Sequence, residues 1–165
     1  MKPDRKVEAE KIDIISITTL KGNINCDNEV DSTKIDAHQF SFKLNSGFKI
    51  EQHLAAIKLV TDILAMDKQG EELPITGSYT HEMVFLVENL EDFVEESDEG
   101  KMIDAVLGSI LVGILYSTVR GIIYSRTQGT SLGVVTLPVI APLELMGIDA
   151  EDEQVKKHKK KKQKQ

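Results

Sequence analysis

A chain of 165 residues with 41% apolar side chains can build one domain, and its single cysteine, Cys26, excludes an internal disulfide. Seven of its 20 basic residues crowd into positions 156–165, where no acid occurs, so the remainder sets 13 basic against 27 acidic residues and carries about −14. So acidic a body argues against nucleic-acid binding, which depends on neutralising phosphates. Residues 1–8 lack the apolar segment of a signal peptide, so a cytoplasmic protein is expected.

Residues 1–11 are charged and read as a disordered arm ahead of a single domain over 12–149. Ile12, Ile14, Ile15 and Ile17, with Thr18 and Thr19, suit a strand over 12–25 whose register slips where two isoleucines adjoin. A polar connection comes next, over 27–37. Phe40, Phe42 and Leu44 then alternate with Ser41, Lys43 and Asn45, the period of a strand with one buried face. Asn45-Ser46-Gly47 is expected to break it.

Residues 50–66 carry two patterns at once. Leu54, Ile57, Val60 and Leu64 follow helical spacing among good helix formers. Ile57, Leu59, Thr61, Ile63 and Ala65 alternate as in a strand. Asp67-Lys68-Gln69-Gly70 reads as a hairpin connection, and Tyr79 through Phe85 has strong strand propensity. Seven of the twelve residues from Glu88 to Glu99 are acidic. Asp98 and Glu99 suit the positive end of a succeeding helix, and the others suit a solvated loop or a docking surface for a basic partner.

The longest apolar run begins at Met102. Fifteen residues, 105–119, carry no charge, short of the ~20 apolar residues that span a bilayer. A buried helix over about 100–127 is therefore expected. Apolar positions lie nearly all round it, so a second copy of the chain is expected to cover what one copy leaves bare. Gly129 to Gly133 forms a loop, 134–139 an extended piece, 142–146 the start of a last helix, and 150–165 a lysine-rich solubilising tail.

Catalytic chemistry is missing from the pattern. His38, His53, His81 and His158 share no metal-ligand spacing with each other or with Cys26. Gly100-Lys101 lacks the upstream glycine of a phosphate loop. No enzyme, cofactor or metal is expected.

One resemblance organises these readings. Ile114-Leu115-Tyr116-x-x-Val119-Arg120, a glycine-bearing turn about ten residues on, then Leu137-Pro138-Val139 resembles the C-terminal half of the SecB export-chaperone family. Gln39 through Leu44 resembles that family's alternating early strand, and Glu82 through Glu88 its acidic-apolar central strand. Together the similarity covers roughly residues 12–145. It implies strands over about 55–67 and 79–94, deciding the ambiguous segment against a helix. The fold implied is α+β, an oligomeric antiparallel sheet of about four strands with the long C-terminal helix packed on it.

The function implied is ATP-independent holding of unfolded or secretory precursor polypeptides by a dimer or tetramer. Phe40, Phe42, Leu44, Tyr116, Tyr124 and Leu132 are the expected polypeptide-binding residues. Glu82, Glu88, Glu91 and Asp92 are the expected docking residues for a SecA-type motor. Two departures weigh on motor docking: no proline follows Tyr116, and His81 replaces one acid of the central strand's acidic pair. A chaperone dedicated to one partner, such as an antitoxin, would share this fold. A scaffold oligomer that binds no client is the reading from another class.

Overall fold

A computed structural model of the chain describes residues 5–27 and 30–148. Four long strands form one antiparallel sheet: β1 (Ile12–Cys26), β2 (Ala37–Lys49), β3 (Leu54–Met66) and β4 (Glu72–Val87). Their spatial order is β1-β4-β3-β2, so β1 and β2 are the edges. A short hairpin comes after β4, with β5 (Val94–Ser97) paired to β6 (Gly100–Ile103). Helix α1 (Ala105–Thr127) then lies on the sheet, and a single turn of helix, α2 (Pro142–Leu145), comes last. The sequence expectation of an α+β fold with one long helix on a four-stranded sheet holds.

Alternation decides the fate of 54–66. Ala55, Ile57, Leu59, Thr61, Ile63 and Ala65 are buried beneath α1, while Leu54, Val60 and Leu64 point to the opposite face and stay half-buried. The helix-like spacing of Leu54, Ile57, Val60 and Leu64 is thus shared between two sheet faces. On β4 the buried face runs Ile75, Gly77, Tyr79, His81, Met83, Phe85 and Val87. Helix α1 meets it with Leu107, Leu111, Leu115, Val119 and Ile123, one every four residues and all fully buried. α1 is long and apolar enough to cross a membrane, but this stripe is spent on the sheet.

Several boundaries move. The expected irregularity in β1 falls between Ile14 and Ser16, with a second between Thr19 and Lys21. β2 does not break at Asn45-Ser46-Gly47; these residues stay in register with Lys58, Ile57 and Ala56, because the partner strand continues beside them. β4 begins at Glu72 and ends at Val87, and a 3-10 turn (Leu90–Asp92) replaces the last part of the expected strand, anchored by buried Leu90 and Phe93. Helix α1 starts at Ala105 rather than near position 100. Asp104 caps it, its carboxylate accepting from the Val106 and Leu107 amides at 2.9 and 3.4 Å. Asp98 and Glu99 sit at the tip of the β5–β6 hairpin, not at the helix dipole. The arm before β1 contributes a 3-10 turn, Ala9–Lys11, and an Arg5–Glu95 ion pair of 3.1 Å. The lysine-rich tail lies outside the described residues.

Candidate peptide groove

Edge strand β2 turns Phe40, Phe42 and Leu44 toward the helix side, opposite Ile63, Thr61 and Leu59 of β3. All three are half-buried, since α1 lies over the central strands and leaves the edge partly open. The rings form a row: Phe40 and Phe42 stack at 6.2 Å between centroids, and Phe42 meets Tyr116 edge-on at 5.7 Å and 77°.

The far wall is built by the chain beyond α1. After Gly133, whose φ of 72° is left-handed, residues 134–141 continue without joining the sheet. Their alternation buries Val135 and Leu137 and leaves Val134 and Val139 exposed, Val139 at 87%. Hydrogen bonds replace a strand ladder here. Thr127 Oγ1 accepts from the Val135 amide at 3.0 Å while donating to the Ile123 carbonyl at 2.9 Å. His38 Nε2 donates to the Leu132 carbonyl at 2.8 Å, and the Tyr116 hydroxyl donates to the Pro138 carbonyl at 2.6 Å. Burial raises the Tyr116 phenol above its ordinary range, Arg120 opposing weakly, so it remains a donor.

Two shallow depressions open between strand and wall. One, of about 200 Å³, is lined by Phe42, Ile140, Glu144 and Leu145. The other, of about 350 Å³, lies between Leu44, Asn45 and Ser46 on one side and Leu145, Met146 and Gly147 on the other. Leu145 belongs to both, so they adjoin. The surface they offer is mixed: Phe42, Leu44, Ile140, Leu145 and Met146 are apolar, while Asn45, Ser46 and the Glu144 carboxylate are polar.

The structure therefore gathers Phe40, Phe42, Leu44 and Tyr116, but Tyr116 is 5% exposed and contributes mainly as a support behind Phe42. Leu132 is a core residue with no exposed surface, because the glycine at position 77 admits it: a Cβ there would lie 2.8 Å from its Cδ2. Tyr124, 47% exposed, lies two helical turns from Tyr116 and shares α1's outer face with Val106 and Ile110. The wall residues Ile140, Glu144, Leu145 and Met146 escaped sequence reading, since a four-residue helix carries no usable periodicity. Pro142 opening Leu143-Glu144-Leu145 was the one local signal.

Of the four expected docking acids, Glu88, Glu91 and Asp92 lie in and around the 3-10 turn after β4, and Glu82 lies within the strand. Glu82 lies on the uncovered sheet face, with Lys58 Nζ 3.9 Å from its carboxylate. Glu88 is six residues, about 20 Å, further along the chain. Glu91 approaches His53 Nδ1 at 3.4 Å, and Asp92 accepts from the Asn89 amide group at 3.3 Å. Among the described residues no three His, Cys, Asp or Glu side chains group as a metal site.

No protein-family model matches this sequence, and no curated protein matches it. The fold has a solved counterpart: the Mycobacterium tuberculosis SecB-like chaperone Rv1957, in complex with a ChAD peptide from the Rv1956 HigA1 antitoxin. The two align with a TM-score of 0.54 and 11% identity over 80% of this chain and 92% of that one. At that identity the likeness establishes a shared SecB-like fold. A protein of unknown function from Streptococcus agalactiae is more distant, with a TM-score of 0.37 and 14% identity over 78% of this chain and 97% of that one.

Proposed function

We propose that this protein is a holding chaperone that keeps extended, non-native polypeptide in the groove beside β2 without consuming ATP. The observation that carries this reading is the half-buried row of Phe40, Phe42 and Leu44 on an edge strand, with Phe42 and Leu44 each lining one of two adjoining depressions. Apolar contact is non-directional and suits clients of differing sequence. The edge strand also has unpaired backbone groups on its free side. The SecB-like fold supports the same reading, since the counterpart was solved holding a peptide.

Self-association belongs to the proposal. Val106, Ile110 and Tyr124 lie exposed on α1, and Ile14, Ile15, Ile17 and Leu20 on β1, an apolar area one copy leaves bare. Several grooves in one assembly would raise avidity for a long client. The test is suppression of aggregation of a chemically unfolded substrate at stoichiometric protein, without nucleotide. Failure to suppress it, together with no binding of a hydrophobic dye to the native protein, would leave a scaffold that keeps its apolar surface covered.

A second reading changes only the client: a cytoplasmic chaperone serving one partner such as an antitoxin. It is favoured by the antitoxin peptide in the counterpart. Tight binding of one peptide with little general holding would select it.

A further inference from the structure

The groove's wall and the chain's last stretch are neighbours. Gly147 lines the depression beside Leu44, and the described chain leaves it one residue later, at Ile148. The lysine run begins at Lys156, eight residues beyond, a reach of about 27 Å when extended. The strand side of both depressions, Phe42 to Ser46, spans about 13 Å. A tether of that length can double back over the whole opening.

Charge selects the same pair. Glu144 is the single charged residue lining the two depressions, and no described cation lies within 4 Å of its carboxylate. Phe42 lines the same depression. A carboxylate beside an aromatic ring is a favourable place for an ammonium, by ion pairing and by attraction to the ring face. Residues 156–165 supply seven ammonium groups and no acid.

Resting on the holding function above, we propose that the lysine run 156–165 of this chain is an occupant of the Phe42–Glu144 depression and competes there with client polypeptide. Tethering gives the run a high effective concentration, so weak contacts suffice to cover an empty groove. A client that buries more apolar surface displaces it. Because the contact is ionic, salt releases it.

The experiment uses the full-length chain, a variant with the seven lysines of 156–165 changed to Gln, and Glu144→Gln. The probe is an uncharged, labelled peptide of alternating aliphatic and aromatic residues. At low salt the lysine-free variant should bind it about fivefold tighter than the native chain, Glu144→Gln should gain similarly, and combining the changes should add nothing. In 0.5 M salt the three should converge. Equal affinity of native and lysine-free chains at low salt, or a gain that Glu144→Gln does not reproduce, overturns the proposal. A zero-length carbodiimide crosslink between Glu144 and the lysine run, lost in Glu144→Gln, reads the contact without any client. Crosslinking without peptide binding keeps the contact and removes the holding function. Peptide binding without crosslinking removes the contact and keeps the function.

Discussion

The Tyr116 hydroxyl reaches 22 residues along the chain to the Pro138 carbonyl, a hydrogen bond of 2.6 Å that ties the groove's outer wall to the helix beneath it. The ring of the same tyrosine props Phe42 edge-on. One side chain thereby fixes both sides of the opening. Tyr116→Phe keeps the prop and removes the tie. It should cost about 1 kcal/mol in urea unfolding and weaken peptide binding by freeing the wall. Unchanged stability and binding would show the tie to be incidental.

Phe42→Ser separates groove from core. Phe42 is half-buried, so the loss of stability should be about 1–2 kcal/mol, below the ~3–5 kcal/mol of a truncated core phenylalanine. Aggregation suppression should fall at the same time. A larger stability loss would make Phe42 a core residue, and intact suppression would move the client elsewhere.

Ile110→Asp tests self-association. The side chain is 37% exposed in one copy, on the helix face away from the sheet, so a lone chain should tolerate the change. In an assembly that buries this face, an unpaired charge costs several kcal/mol. Light scattering should give a mass near 18.4 kDa for the variant and a multiple of it for the native protein. A native monomer at micromolar concentration would refute the assembly.

Acid should weaken the fold through His81. Burial lowers its imidazole below the ordinary range, and Arg126 acts in the same direction. Both ring nitrogens lack a hydrogen-bond partner, and the ring stacks on Tyr79 at 6.1 Å. The folded chain therefore keeps His81 neutral, whereas the unfolded chain takes up a proton below about pH 6.5. The stability this group contributes is full above that pH and is lost progressively as pH falls from there through the depressed folded value. Melting temperature should drop more steeply between pH 7 and 5 in the native protein than in His81→Leu. Parallel profiles would assign the acid sensitivity to other groups.

Gly77→Ala should act at a distance from the groove. The new Cβ would meet Leu132 Cδ2 at 2.8 Å and must push it outward. Overpacking of this kind costs about 1–3 kcal/mol. The residue displaced begins the wall, so peptide binding should fall along with melting temperature. A neutral Gly77→Ala would show that Leu132 has room to move.

The sheet was legible because its strands obey simple periods. Phe40-Phe42-Leu44 marks a strand with one covered face, and the adjoining isoleucines of β1 mark its first slip in register. Residues 54–66 were harder because both sheet faces are apolar there: Ile57 goes under the helix and Val60 to the other side, so two periodicities overlap. The long helix announced itself, but its start did not. Met102 and Ile103 are as apolar as the first turns of α1, and only the cap formed by Asp104 separates hairpin from helix. Half of the groove was invisible for a different reason. Its wall is held by single bonds from Thr127, His38 and Tyr116, contacts between residues up to 94 apart that leave no local pattern. Leu132 and Tyr124 were misplaced because an apolar residue near an expected groove looks the same whether it faces inward, outward or across the helix.

That the wall comes after the helix sets an order on the ribosome. The sheet closes once β4 has emerged, and α1 can cover it next. The depressions beside Phe42 do not exist until Ile140 through Gly147 have been made. Until then the aromatic side chains of edge strand β2 lack the wall that later faces them, and exposed apolar edges of this kind favour misassembly. The nascent chain is thus most open to misassembly in the interval between β4 and Gly147, when the aromatic side of β2 has a partner strand but no wall.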